Sequence, residues 1–287
     1  KLLITGVSGF LGYHLIRLAD QNWEVYGIVH TKDLSFEKAV SINCDITNYI
    51  ELGNYFDAIM PDAVIHTAAI SDANFCQTNR SLSYAINVEA TKNLAGICSD
   101  YHIPFAFTST DLVFDGKRGM YKEYNEKNPV SVYGEQKSIA EDEALKIYPE
   151  AAVFRLPLLF GFPKATNVNY IQKFITQLNY KEIAKLFTDE YRSVCGAKSI
   201  AIGIMQLIEH YSGVIHLAGK ERISRYDFGK MIADIFSLDT TLIQSVSQKD
   251  VKMSAPRPAD VSFDISKAIG LGFIPMNVRE ELKLIAD

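Results

Sequence analysis

The chain is poor in the residues that build disulfide frameworks, rigid linkers and membrane spans. Its 287 residues include four cysteines, nine prolines and one tryptophan. Cys44, Cys76, Cys98 and Cys195 are far apart and form no C-x-x-C pair, which excludes a zinc ribbon or a dithiol redox motif. Buried, reduced thiols are expected instead. The six histidines show no HExxH or comparable spacing, so no catalytic protein-bound metal is expected. The richest apolar stretch, 151–162, contains Arg155 and Pro157 and cannot span a bilayer. The opening Lys1-Leu2-Leu3-Ile4-Thr5-Gly6 is too short and glycine-broken for a signal-peptide core. A net charge of −5, from 29 Lys+Arg against 34 Asp+Glu, removes the footprint of a general nucleic-acid binder. A soluble, cytoplasmic protein follows, with its assembly left open, a homodimer included.

What the chain does have is alternation. Leu2–Thr5, Glu24–Val29, Ala39–Asn43, Ala63–Thr67, Ile103–Thr108 and Ala151–Leu156 read as strands; Phe10–Asp20, Tyr49–Ile59, Leu82–Ser99 and Tyr133–Tyr148 carry helical spacing. The strands are continuous apolar runs, as expected where helices cover both faces of a parallel sheet. The pattern predicts an α/β protein with a doubly wound, Rossmann-type parallel sheet and ligands at its carboxyl edge. A less regular second half predicts a smaller α/β substrate lobe, with helices at Tyr170–Tyr180, Ser199–Tyr211 and Arg225–Phe236 and a strand at Val214–Leu217. The expected division is 1–160 for dinucleotide binding and 161–287 for substrate, with the chain returning to the first part around 185–212.

Thr5-Gly6-Val7-Ser8-Gly9-Phe10-Leu11-Gly12 follows the first strand and opens the first helix. Its GxxGxxG spacing suits a pyrophosphate: Gly6 for the turn, Gly9 for close backbone approach, Gly12 for helix–strand packing. Amides of this segment, Ser8 to Leu11 included, then meet the phosphates at the positive end of a helix. After the second strand comes Val29-His30-Thr31-Lys32-Asp33. His30 and Lys32 suit a 2′-phosphate, whereas Asp33 suits a 2′-hydroxyl; the balance leans to NADP over NAD.

Ser109-Thr110-Asp111 follows the fifth strand, and Tyr133 and Lys137 stand at i and i+4 on the next helix. A neighbouring ammonium lowers a phenol's pKa. Such a tyrosine can protonate a carbonyl oxygen while hydride reaches its carbon, and Thr110 can bond the same oxygen. Tyr226 and Lys230 repeat the spacing without a preceding strand-end hydroxyl, and that copy reads as structural.

These residues resemble the extended short-chain dehydrogenase/reductase superfamily, and more closely its dTDP-4-dehydrorhamnose reductase-like branch. The marks run along nearly the whole chain: TGVSGFLG, Cys44-Asp45-Ile46-Thr47, Ile65-His66-Thr67-Ala68-Ala69, Ser109-Thr110-Asp111-Leu112-Val113-Phe114-Asp115-Gly116, Tyr133-Gly134 with Lys137, and Arg257-Pro258. The resemblance implies that Gly9, Phe10 and Leu11 line the pyrophosphate and that Asp45 and Ile46 bracket the adenine. It places Ala68, Ala69 and Ile70 beside the cofactor, with Thr108 near the nicotinamide. Tyr133 becomes the proton donor, Lys137 its partner, and Thr110 with Asp111 the substrate contacts. Arg257 matches a position where a cation suits a nucleotide diphosphate.

Three departures concern the substrate. Leu158 stands where the reductases carry a sugar-packing tryptophan. Asn74 and Gln77 replace acidic residues after the fourth strand. The segment Phe187–Ser193, with Arg192, differs from the usual run and resembles divergent members, including the regulatory subunit of methionine adenosyltransferase. The leading expectation is an NAD(P)-dependent reductase of a nucleotide-linked 4-keto sugar. A sugar-nucleotide epimerase or dehydratase, and a non-catalytic dinucleotide-binding subunit, are the alternatives.

Overall fold

The computed structural model describes residues 1–19, 22–30, 38–161 and 170–286. Lys32 and the segment after Gly161 lie outside them. Seven parallel strands form the central sheet: β1 (Leu2–Thr5), β2 (Val25–Val29), β3 (Val40–Asn43), β4 (Ala63–His66), β5 (Phe105–Thr110), β6 (Ala152–Leu156) and β7 (Gly213–His216). Their order is β7-β6-β5-β4-β1-β2-β3, so the winding reverses between β1 and β4. Open α/β sheets bind ligands at such a reversal, where crossovers to the two faces part and leave a crevice.

Successive residues of one strand enter different cores. Leu2 and Ile4 pack with helices α1 (Phe10–Ala19) and α6 (Ala197–Leu207), through Leu15, Ile200 and Ile204. Leu3 packs on the opposite face with α2 (Tyr49–Ile59), α3 (Ala90–Tyr101) and α4 (Val132–Ile147), through Phe56, Leu94 and Ala140. Both faces are dry, which is why the strands are uninterrupted apolar runs rather than alternations.

The continuous helix expected over Leu82–Ser99 is instead a short helix, Arg80–Tyr84, a π-helical turn, Ala85–Glu89, and then α3. The turn places buried Asn87 so that its side chain accepts from Ile70 N–H (2.9 Å) and donates to the Ile70 carbonyl (3.0 Å) and Gln136 (3.0 Å). Strand β5 also runs two residues further than its apolar pattern predicts, and Thr110 is its last residue.

After β6 the chain enters a second cluster built from α5 (Tyr170–Asn179), α7 (Arg225–Ile235) and α8 (Val278–Ala286). Phe160, Phe174, Phe228, Ile232 and Leu282 form its core. The chain returns to the main sheet through α6, which packs on α1, and through β7, which pairs in parallel with β6. Buried Glu281 of α8 fastens that return by accepting from Gly196 N–H (2.9 Å) and Ser199 O–H (2.6 Å). All four cysteines are free and buried. Among the described residues, no helix is long and apolar enough to cross a membrane and no cluster of potential metal ligands occurs.

Candidate active site

At the β1–α1 junction, Gly6 has φ +72°, and a Cβ there would lie 2.6 Å from the Ala68 amide nitrogen. Only glycine lets these two strand ends meet. Gly9 N–H turns back to the Gly6 carbonyl (2.8 Å), and the first α-helical bond runs from Tyr13 N–H to the Gly9 carbonyl (3.1 Å). The amides of Phe10, Leu11 and Gly12 therefore precede the helical ladder, at the helix's positive end. Ala68 N–H donates to the Thr5 hydroxyl (3.2 Å), which also meets His66 Nδ1 at 2.7 Å. Burial, with Lys137 nearby, pushes His66 down to about 3, so it holds the strand ends together as a neutral ring. This cradle fits a dinucleotide pyrophosphate.

The cradle opens into a cleft of about 570 Å³ at the winding reversal. Gly6, Gly9, Phe10, Leu11, Gly12 and Ala69 line it at one end, with Thr108, Thr110, Asp111, Tyr133 and Lys137 along its floor. Leu158, Arg192 and Arg257 line it toward the second cluster. Ser8, Ala68 and Ile70 are half-buried beside the cradle without lining the cleft. His30, Asp45 and Ile46 also lie outside it, following β2 and β3. The Asp45 carboxylate accepts from Thr47 N–H (2.9 Å) and O–H (2.7 Å); these bonds, with His30 nearby, hold its pKa below the usual range.

The floor is assembled by one tight contact. Ser131 caps α4 by accepting from Gly134 N–H, and a Cβ at Gly134 would lie 2.1 Å from the Leu112 carbonyl oxygen. Missing that Cβ, the helix start packs against the turn after β5, so Tyr133 meets Thr110. The Thr110 hydroxyl accepts from Leu112 N–H (3.2 Å) and donates to Asp111 Oδ1 (3.2 Å). Lys137, one turn on, is 2 % exposed, with Nζ 4.0 Å from the centre of the Phe107 ring.

The electrostatics differ from the expectation of a lowered phenol. Burial pushes the Tyr133 phenol well above its ordinary value and Asp111 adds to this, while a hydrogen bond with Thr110 opposes it. Lys137 is itself desolvated, down to about 7, with Glu141 working the other way. Facing the Phe107 ring, Lys137 does not offset the burial of the phenol in the ligand-free protein. Tyr133 is a protonated hydroxyl at neutral pH, the form a proton donor needs.

The charge cluster of the cleft joins two expected residues, Asp111 and Arg192, with two that the sequence did not single out, Glu190 and Arg225. Arg192 is buried between Asp111 (2.9 Å) and Glu190 (3.1 Å). Arg225 stands 3.9 Å from Glu190 and over the Tyr170 ring at 3.8 Å, and both Glu190 and Arg225 line the cleft. Burial raises Asp111 from its ordinary value, with Arg192 opposing. Behind the floor, Glu141 binds Arg155 through two bonds of 2.9 and 2.8 Å. Glu190 lay within a segment already notable in the sequence; Arg225 opens a helix expected there and had no other mark.

The family described as the RmlD substrate binding domain matches residues 1–287. The chain belongs to that family. One relative is the probable low-salt glycan biosynthesis reductase Agl14 of Haloferax volcanii, 32% identical over 93% of this chain and 90% of its own. The dTDP-4-dehydrorhamnose reductase of Aggregatibacter actinomycetemcomitans is 27% identical over 99% of this chain and 98% of its own. Among solved structures, a hypothetical dTDP-4-dehydrorhamnose reductase from Sulfolobus tokodaii superposes with a TM-score of 0.86. It is 30% identical and covers 97% of this chain and 98% of its own. In this RmlD-type chain the resemblance seen in the motifs extends through both lobes.

Proposed function

We propose that this protein is an NAD(P)-dependent reductase of a nucleotide-linked 4-keto sugar, dTDP-4-dehydrorhamnose or a close relative of it. One observation carries the reading: the glycine cradle, the Thr110–Tyr133–Lys137 floor and a cluster of arginines face one cleft. Residues 1–160, with the returning α6 and β7, form the dinucleotide lobe, and the second cluster holds the sugar nucleotide. The reductases among its relatives support this choice.

The cradle of Gly6, Gly9, Phe10, Leu11 and Gly12 would hold a nicotinamide dinucleotide, which when bound would supply the hydride for the carbonyl carbon. Tyr133 gives its hydroxyl proton to the carbonyl oxygen, which completes the alcohol and leaves a phenolate to be reprotonated. Thr110 bonds the same oxygen and fixes its distance from the phenol. Lys137, in its ammonium form, offsets the negative charge left on Tyr133. Arg192 and Arg257 face the anionic part of the substrate, and Leu158 offers an apolar wall to the sugar. Lys32 and His30 favour NADP; Lys32→Ala should weaken NADP more than NAD, and equal weakening sinks that preference.

The deciding experiment is a panel of sugar nucleotides with NADH and NADPH, followed by absorbance loss. Turnover of a 4-keto sugar is expected. No turnover by a protein that still binds dinucleotide points to a non-catalytic subunit. Interconversion of sugars without net cofactor consumption points to an epimerase.

A further inference from the structure

One ion pair behind the floor is placed for more than packing. Glu141 follows Lys137 by four residues on α4, so the two side chains leave the same face of the helix. Both are almost fully buried, at 1 % and 2 % exposed. Phe107, over whose ring Lys137 Nζ stands, is two residues before Ser109 on β5 and shares its side of the sheet. Ser109 is the register partner of Arg155 on β6, which in turn partners His216 on β7. The Glu141 carboxylate is therefore met both from the sheet and from the loop before α4. Arg155 donates to its two oxygens at 2.9 and 2.8 Å, and Lys127 Nζ stands 3.3 Å from one of them. Arg155 is itself fixed, donating to the Glu123 carbonyl at 3.1 Å and meeting His216 Nε2 at 3.3 Å.

We infer that Glu141 is a positioning residue for the reaction: its carboxylate, fixed by Arg155, supplies the negative charge on which the Lys137 ammonium depends. The inference rests on the reading of Tyr133 and Lys137 as the proton-donating pair, and adds the group that keeps the cation of that pair charged. A buried ammonium loses its hydration, and a carboxylate on the same buried face returns part of what is lost. Other groups around the lysine offer no such charge. His66 of β4, whose ring stacks on Phe107 at 5.7 Å, is neutral; Tyr133 is a protonated phenol; Asp111 is engaged by Arg192. Burial takes Lys137 down to about 7, and Glu141 acts against it. Burial works against the Glu141 carboxylate too, yet Arg155 and then Lys127 hold its pKa below the ordinary range, so it stays ionised at neutral pH. At the surface, Asp142 shares Lys127 at 2.6 Å.

Two readouts on the whole chain test this. In ligand-free protein isotope-labelled at the lysine Cε carbons, the Lys137 NMR signal is identified by its absence from Lys137→Met. It should titrate about one pH unit lower in Glu141→Gln than in the wild type. The alkaline limb of kcat/KM should move by the same interval, which lowers kcat/KM about eightfold at pH 7.5 and leaves it nearly unchanged at pH 5.5. Glu141→Gln strips Arg155 of its partner, so Glu141→Gln combined with Arg155→Met is the second variant; it replaces the buried pair with uncharged side chains of similar volume. There the lysine should again titrate lower, by about half a unit. A loss of kcat/KM that is equal at every pH, with an unmoved lysine, marks a purely structural pair and overturns the inference. So does a double variant whose lysine titrates as in the wild type, because the shift in Glu141→Gln then came from the bare guanidinium. A wild-type protein that reduces no 4-keto sugar nucleotide overturns the reductase reading instead, and the Lys137 signal still decides the role of Glu141.

Discussion

Two Tyr-x-x-x-Lys pairs stand on two helices of this chain, and their surroundings have little in common. Tyr133 and Lys137 open α4 against the end of β5; both are buried, and the lysine faces Phe107 at the floor of the cleft. Tyr226 and Lys230 lie on α7, where the exposed ammonium pairs with exposed Asp227 at 3.2 Å and sits 4.6 Å from the centre of the Tyr226 ring. Spacing puts a phenol and an ammonium on one helical face in both cases. Desolvation of both groups exists only in the first; Ser224 likewise ends a two-residue strand before the second pair, but its hydroxyl is taken up by Asp227 at the helix cap (2.6 Å). Chemistry at such a pair comes from removing water around it, and an i,i+4 interval cannot do that.

That contrast can be broken in four ways. Removing the Tyr133 hydroxyl should do most: Tyr133→Phe is expected to lower kcat by about 10²–10⁴ with folding intact, measured on the 4-keto sugar found active. Comparable turnover in the variant removes Tyr133 as the acid. Lys137→Met comes next, lowering kcat by about 10²-fold while raising the melting temperature of the ligand-free protein by roughly 2 °C or more. The sign follows from linkage. Lys137 falls from an unfolded value near 10.5 to about 7 in the fold, so the native state sheds a proton that the unfolded chain keeps. Its charged burial destabilises fully below pH 7, and stability recovers as pH rises from about 7 toward 10.5. A variant less stable than the wild type at pH 6.5 would contradict this.

The third measurement is a pH profile of kcat/KM for the free enzyme. It should fall above about pH 7, by up to about tenfold per unit, as the Lys137 ammonium is lost, and the limb should be absent in Lys137→Met. A limb that persists in that variant belongs to another group. The smallest effect is expected at the second pair. Tyr226→Phe and Lys230→Ala should leave turnover unchanged and shift stability by no more than about 0.5 kcal/mol. A kinetic loss there would erase the distinction between the pairs.

Much of the first lobe is legible because its determinants are local. The glycine segment, the strand before it and the helix after it are contiguous, and Tyr133 and Lys137 are one turn apart. The same holds for Thr110 at a strand end, though apolar pattern alone ended that strand two residues early. The π-helical turn was not legible: its cause is the bonding of Asn87 to Ile70 and Gln136, partners distant in sequence. Nor was the charge cluster, in which Arg192, paired with nearby Glu190, meets Asp111 only when distant parts of the chain come together. Gly134 stood in plain view beside Tyr133, but its purpose appears only with the Leu112 carbonyl 2.1 Å from where its Cβ would be.

The amino-acid sequence by itself determined where the glycine turn between β1 and α1 lies, that a Tyr–Lys pair opens the helix after β5, and that both faces of the sheet are covered. These follow from periodicities and backbone preferences acting within about twenty residues. The tertiary structure alone decided the electrostatics of the site: that burial raises the Tyr133 phenol where a lowered one was expected, that burial brings Lys137 down to about 7, and that Arg257 faces a neutral amide while Arg192 faces two carboxylates. Those properties depend on which charges lose water together and which find partners across the cleft. Desolvation and pairing are set by distances in space, and residues 74 and 257 become neighbours only when the chain has folded.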